Sequence, residues 1–322
     1  MLNKSSSKVL WIVLIVLVAL FFILRYTDRS ERTIRKELVS VDTAQIDNIT
    51  IKSPKNNGTI QIRKKNDNWQ VKEGDRYYNA DNRKVRGILS QISELKPQSV
   101  VAKSSRQWDK YQVTDSLGTR IQFKKGEETK ADLILGRINF KVPKTQSQNP
   151  YMRQQQEILM YARPYHDKSV YVTDGMVKLG LGNKPDDFRE KLLCRLKPDQ
   201  INAVTFVYTG GSSFTLKKED NKWLLDGQPV DSATAAKYIH NFSYANGSKF
   251  INNFDPGSHS VTGKITVEQN GKEPVVLTSY RIDSTKTVVH SSLNKESYFD
   301  GHPGKLFEKF FVRKNTFEKG GS

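Results

Sequence analysis

Sulfur is scarce in this 322-residue chain, which has one cysteine, Cys194, and four methionines. A single thiol excludes an intramolecular disulfide framework and any zinc site built from several cysteines. A bacterial-type lipoprotein is excluded too, because no cysteine directly follows the N-terminal apolar run. Acidic residues are few beside basic ones, 34 against 52, for a formal charge of +18. Histidine occurs five times, and His166, His240, His290 and His302 have no metal-ligand spacing. Apolar residues make up 36% and charged residues 27%, too much hydrophobic content for a disordered chain. The length suits about two domains.

Catalytic signatures are missing as well. There is no G-x-x-x-x-G-K-[ST], so any ATPase that this chain serves is another polypeptide, and neither G-x-S-x-G nor H-E-x-x-H occurs. Gly180-x-Gly182 lacks a third glycine and a preceding βαβ context, and reads as a helix end. Ser258-His259-Ser260 sets a nucleophile beside a base. Neighbours on an extended strand point to opposite faces, however, and Asp255-Pro256-Gly257 just before it marks a turn. Asp186-Asp187, before Phe188, read as helix-capping acids rather than a catalytic pair. Glu127-Glu128, after Lys124-Lys125-Gly126, read as a solvated turn. The expectation is a chain that is not an enzyme, with no catalytic residue, no cofactor and no metal site.

What is present starts with residues 9–24, VLWIVLIVLVALFFIL, sixteen residues without a charge. As a helix this run covers roughly 24 Å of a ~30 Å hydrocarbon layer, and Trp11, Arg25 and Tyr26 are placed to extend it at the interfaces. A cleaved signal peptide would need small residues before a cleavage point, and Leu24-Arg25-Tyr26-Thr27 has none of that kind. The expectation is an uncleaved anchor with a tail at 1–8 and a juxtamembrane linker at 25–40. Positive charges are more numerous after the span than before it, which favours a cytoplasmic C-terminal side. The eight-residue polar N-terminus followed at once by the apolar run instead resembles a signal anchor with the large domain outside, and that orientation is the expectation. The predicted location is the cell (inner) membrane, single-pass, with lipid contacted through 9–24.

The first 36 residues carry seven of the basic and two of the acidic residues, which leaves +13 on the rest. The excess is spread along the chain, and the aromatics fall mostly at apolar-periodic positions. That pattern argues against nucleic acid as a partner. It suits a basic surface near anionic headgroups, or an acidic polymer as ligand.

Beyond the linker the sequence repeats. IDNITI from Ile46, TIQIRKKNDNWQV and YYNADNRKVRGILSQISEL match INAVTF from Ile201, SFTLKKEDNKWLL and QPVDSATAAKYIHNF. Ile46 pairs with Ile201, Lys64 with Lys217, Trp69 with Trp223 and Asp81 with Asp231, at offsets of 150 to 155. Alternating apolar residues (Ile49, Ile51; Ile60, Ile62; Val204, Phe206; Phe214, Leu216) predict half-buried strands. Asn66-Asp67-Asn68 and Asp220-Asn221 supply the left-handed residues that a tight hairpin needs. Asp81 and Asp231 stand at helix N-caps. Val85, Ile88, Leu89, Ile92 and Leu95, and then Ala235, Tyr238, Ile239 and Phe242, follow at helical spacing. Further strands are expected near 119–123, 131–135, 158–162 and 169–172, and near 264–267, 275–280 and 286–290. Helices are expected at 186–196, carrying Cys194 as a small buried hydrophobe, and at 303–312. The insertion at 141–156 reads as a loop. The predicted class is α+β: an N-terminal transmembrane helix, then two tandem repeats of antiparallel strands with amphipathic helices, 41–198 and 199–318, and a tail at 319–322. The repeats either stack as separate lobes or share one sheet.

These features resemble the domain-of-unknown-function family 4340. The residues that carry the likeness are the N-terminal span, Asp67-Asn68-Trp69, Asn79-Ala80-Asp81-Asn82, Leu133-Ile134-Leu135-Gly136, Tyr161-Ala162-Arg163, Val170-Tyr171-Val172 and Asp187-Phe188-Arg189-Glu190-Lys191. The family is similar to auxiliary components of ABC-type transport systems, including gliding-motility ones, with such domains outside the membrane. The resemblance implies an accessory role and transporter subunits as partners, and brings no catalytic residues with it. Three functions follow as expectations: a non-enzymatic membrane-anchored accessory or scaffold protein of the envelope, a binding module for acidic glycans or lipid headgroups, or an unrecognised hydrolase.

Overall fold

The structure of the chain, a computed structural model, describes residues 14–19, 36–54, 58–141 and 157–318. Of the expected anchor, residues 14–19 are described and are helical. The rest of it, the tail at 1–8, most of the linker, the insertion at 142–156 and the tail at 319–322 lie outside the described residues. Among the described residues no helix is long and apolar enough to cross a membrane.

In chain order the elements are β1 (Asn48–Lys52), β2 (Thr59–Lys65), β3 (Asn68–Glu73), β4 (Arg76–Asn79), α1 (Asn82–Ser93), β5 (Ser99–Ala102), α2 (Trp108–Tyr111), β6 (Thr119–Lys125), β7 (Glu128–Lys141), β8 (Glu157–Pro164), β9 (Val170–Asp174) and α3 (Met176–Gly180). They continue with β10 (Leu192–Cys194), β11 (Ile201–Tyr208), β12 (Ser213–Glu219), β13 (Lys222–Leu225), β14 (Gln228–Pro229), α4 (Ser232–His240), β15 (Ala245–Asn246), β16 (Ser260–Gln269), β17 (Lys272–Arg281), β18 (Thr287–Ser291), β19 (Asn294–Asp300), α5 (Leu306–Phe310) and α6 (Asn315–Glu318). The fold is strand-rich α+β. Its contacts divide it into two compact units: 1–64 with 83–184, and 65–82 with 185–322.

In the first unit the strands lie in the order β2-β1-β6-β7-β8-β9-β5. Ile49 and Ile51 of β1 stand opposite Ile62 and Ile60 of β2, and opposite Phe123 and Ile121 of β6. All six are buried, so the period-two pattern delivers one apolar face across three strands. Helix α1 buries Val85, Ile88, Leu89 and Ile92, the positions its spacing selects. In β7, Leu133, Ile134 and Leu135 are each fully buried, and Ile134 packs with Ala102, Tyr111, Val113 and Val170. The next residue, Gly136, sits where the β7–β8 register shifts, and a Cβ there would overlap the Tyr111 carbonyl. That close approach requires the glycine that ends the Leu-Ile-Leu-Gly string.

The second unit holds the β3–β4 hairpin, the short β10–β15 pair and an eight-stranded sheet in the order β14-β13-β12-β11-β16-β17-β18-β19. Both turns expected from the sequence are present. Asn66 and Asp67 have φ of 49° and 61°, and Asp220 and Asn221 have 46° and 63°, the left-handed pair of a two-residue hairpin. The second residue of each third strand is buried, Trp69 of β3 at 3% exposure and Trp223 of β13 at 6%. Val204 and Phe206 face Leu216 and Phe214 on β12, and Val267 and Ile265 on β16. With Trp223, Ala235, Tyr238, Ile239, Phe310 and Phe317 they make one core. Phe206 stacks on Phe214 at 4.3 Å, and the Tyr238 hydroxyl donates to the Phe310 carbonyl at 2.7 Å. Asp231 caps α4 by accepting the Thr234 N–H at 2.7 Å. One sheet edge is the two-residue β14, which carries Pro229. The other, β19, is bridged by Phe250 to Phe299, with Ile251 N–H donating to the Tyr298 carbonyl and Asp300 N–H to the Lys249 carbonyl. The series β2-β1-β6-β7-β8-β9 of the first unit and β12-β11-β16-β17-β18-β19 of the second share one neighbour order, which is compatible with a tandem repeat.

The expected helix at 186–196 does not form. A 3-10 turn, Pro185–Asp187, passes into extended chain and then into β10, so Cys194 lies on a strand. The reason is pairing to distant residues. Asp81 N–H donates to the Phe188 carbonyl and Glu190 N–H to the Asn79 carbonyl, both at 2.8 Å, and Arg189 forms a β-bridge with Ala80. Those bonds use the backbone groups that a helix would need. The helix expected at 303–312 is present in shortened form, as the turn Pro303–Lys305 and α5.

Candidate binding surface

The second unit carries five aromatic rings on the sheet face opposite its core. Thr278 of β17 pairs with His290 of β18, and His290 with Tyr298 of β19, so strand alternation turns Tyr280, His290 and Tyr298 to one side. Phe254 and His259, from the loop before β16, complete the group. Phe254 lies 4.8 Å from Tyr298, 5.2 Å from Tyr280 and 4.6 Å from His259, while His290 stacks on Tyr298 at 4.6 Å. All five are half-buried. Burial pulls His290 below its ordinary pKa and pushes Tyr280 and Tyr298 above theirs. Near neutral pH Tyr280, His290 and Tyr298 are therefore uncharged, and together with Phe254 and His259 they form a surface suited to stacking on an apolar or planar partner.

The serine beside this surface is already committed. Ser258 Oγ donates to the Asp255 carboxylate, which also accepts the Gly257 N–H at 3.0 Å. Those two bonds, the Ser258 one foremost, hold Asp255 below the usual carboxylate range. His259 Nδ1 lies 2.9 Å from the Asp255 carbonyl instead of reaching the serine. Ser258-His259-Ser260 is thus a capped turn, with the 3-10 element Pro256–Ser258 inside it.

A second feature of this unit is a shallow basic groove of about 600 Å³ between α4 and α5–α6. Lys237, Lys305 and Lys309 line it, with Glu308 as the acid among them. Lys305 holds a left-handed φ of 55°.

Among the described residues two arginines are buried, and both serve packing. Arg189, with a side chain 1% exposed, lies between the rings of Tyr78 at 3.9 Å and Phe250 at 3.7 Å. It donates to Asn252 Oδ1 at 2.6 Å and Asp186 Oδ1 at 3.1 Å, while its Nε is buried without an acceptor. In the first unit Arg163 stacks over Trp108 at 3.7 Å and donates to the carbonyls of Val113, Tyr165 and Asp167. Burial lowers its pKa. These contacts explain why Tyr161-Ala162-Arg163 and Asp187-Phe188-Arg189 stand out in the sequence: each arginine fastens neighbouring segments, Arg163 through carbonyls and a ring, Arg189 through two rings, Asn252 and the Asp186 carboxylate.

The other sequence candidates are dispersed. Cys194 is fully buried, and burial pushes its thiol up to about 12. Asp186 accepts from Arg189, and Glu128 pairs with Lys130. Gly180 ends α3, as expected of a helix terminus. His166 meets Tyr165 edge-on, and His240 ends α4. His302 N–H donates to Asp300 Oδ1 at 3.1 Å. Among the described residues no three His, Cys, Asp or Glu side chains converge as metal ligands. The ring cluster itself escaped the sequence reading, since Phe254, His259, Tyr280, His290 and Tyr298 fit no single period.

A strand-rich α+β chain in two units, with its buried cations spent on packing, is the class that fold and surface define. The chain belongs to the family described as Domain of unknown function (DUF4340), which it matches over residues 69–262, more than half its length. No curated protein and no solved structure matches it.

Proposed function

We propose that this chain is a non-enzymatic accessory or scaffold protein of the cell envelope. It is held by a single span at 9–24, with the large domain on the extracytoplasmic side of the inner membrane. Its partners are membrane subunits of an ABC-type transport system, and its two sheets are one folding unit duplicated. The observation that carries this reading is the five-ring face beside a serine already bound to Asp255. A surface of half-buried rings favours contact with another molecule, whereas a hydrolase needs its nucleophile bonded to a base. The test is photocrosslinking from Tyr280 and Tyr298 in intact membranes, followed by identification of what is captured. Capture of a transporter membrane subunit supports the proposal. Purification in mild detergent with no membrane protein attached counts against it, and protease protection of sealed vesicles checks the orientation.

A second reading, a binding module for acidic glycans or lipid headgroups, is favoured by the groove of Lys237, Lys305 and Lys309. Its ligands would bind more weakly at physiological than at low salt. Binding that does not change with salt would exclude it.

A further inference from the structure

We propose that the first unit lies against the bilayer through an apolar patch of Phe140, Ile158, Met176 and Leu179, an inference that rests on the anchored reading above. Phe140 is 57% exposed, Met176 54% and Leu179 52%. Phe140 and Ile158 are cross-strand partners on β7 and β8. Gly175 N–H donates to the Ile158 carbonyl at 2.8 Å, which sets Met176 at the end of that pair. Leu179 follows three residues later on α3, on the same side of the helix. The helix is pinned in this pose. Asp174 Oδ1 accepts the Met176 N–H at 2.8 Å, Val177 is buried, and Lys178 Nζ reaches the carbonyls of Leu135 and Gly136 on β7. With Val177 and Lys178 turned to the sheet, the neighbouring Met176 and Leu179 are left outward.

The path of the chain itself says which partner covers this patch. Leu38, only 4% exposed, donates its N–H to the Leu95 carbonyl at 3.2 Å. Leu95 and Lys96 line one pocket of about 370 Å³ together with Met176 and Val177. The segment arriving from the apolar run is thus fastened a pocket's width from Met176. The run ends at Leu24, fourteen residues before Leu38, so the fastening point stays within about 50 Å of the span's end even at full extension. A tether of that length raises the effective concentration of the bilayer at the patch, and a modest apolar contact then suffices. Met, Leu and Phe side chains suit the boundary between headgroups and acyl chains. Lys96 on the pocket rim is offset by Glu94 and Asp174, so the contact is set by apolar insertion more than by charge.

The test uses the full chain reconstituted in phosphatidylcholine–phosphatidylethanolamine vesicles that carry a nitroxide-labelled lipid. Met176→Cys, Leu179→Cys and Glu127→Cys are each labelled with an environment-sensitive fluorophore, and buried Cys194 leaves the introduced thiol as the reactive one. Residue 127 precedes β7, at the opposite end of that strand from Phe140 and roughly 40 Å along it. The expected result is loss of most emission at 176 and 179, with a blue shift in quencher-free vesicles, and neither effect at 127. Equal responses at all three positions in chains that float with the vesicles overturn the patch and leave the anchor standing. Chains that do not float overturn the anchored reading, and the patch with it.

Discussion

Truncating Arg189 is the sharpest probe of the second unit. The guanidinium sits between Tyr78 and Phe250 and bonds to Asn252 and Asp186. Arg189→Ala removes two cation–π contacts of about 0.5–2 kcal/mol each and opens a void where a long side chain was packed. Breaking a buried ion pair costs roughly 3–5 kcal/mol where the remaining charge is trapped. Asp186 is 27% exposed and Asn252 is exposed, so both recover water and the stranded-charge part is smaller here. The arginine's Nε has no acceptor, which trims the gain of the native state by one bond. The net expectation is a loss of about 3 kcal/mol for alanine and about 1–2 for methionine, which keeps the stem between the rings. The assay is urea unfolding of the unit followed by tryptophan fluorescence, since Trp69 and Trp223 are both buried in it. With a slope of about 1–3 kcal/mol per molar urea, alanine should lower the midpoint by ~1–3 M. A midpoint unchanged in Arg189→Ala would refute the assignment of this residue as a clamp. Equal losses for alanine and methionine would show that the charge, and not the stem, carries the contact.

Other consequences are as testable. His290 has its pKa pulled below its ordinary 6.5 by burial, so the unfolded chain takes up a proton at higher pH than the folded one. Its contribution to stability is therefore intact above about pH 6.5 and is lost as pH falls from there through the folded value. His290→Phe, which keeps a ring on Tyr298, should flatten the unfolding midpoint between about pH 7.5 and about pH 5, and an unchanged slope would rule this out. Cys194, with its thiol pushed up to about 12, should resist thiol reagents in the native chain and react at once in denaturant. Gly247→Ala would drive a methyl group into the Phe299 ring while Gly247 N–H is held on the Lys191 carbonyl at 2.8 Å. Thermal unfolding should show a loss of about 1–3 kcal/mol.

Local signals were readable in the residues themselves. Asn66-Asp67 and Asp220-Asn221 announce left-handed turns because few other residues tolerate positive φ, and both turns form. The stripe Val85, Ile88, Leu89, Ile92 names its own buried face. What escaped was decided at long range. The stretch after Asp187 has helical composition, yet Asn79 and Asp81, more than a hundred residues earlier, take its backbone groups. Strand β19 is too polar in Asn294, Lys295 and Glu296 to announce itself, and its inward residues are Ser297 and Phe299. The five-ring face was invisible for a related reason: its members come from a loop and three strands, each contributing one or two outward positions that alternation alone marks as solvent-facing.

The two ends of the eight-stranded sheet limit how another chain can engage it. Pro229 has no N–H to offer on a two-residue border strand, and residues 249–251 already occupy backbone groups of β19 on the far side. Recognition by strand addition, which needs a free ladder of donors and acceptors, is blocked on both flanks. A binder of this unit must read side chains, and its selectivity will reside in single substitutions on a face and not in the pairing geometry of a β-ribbon.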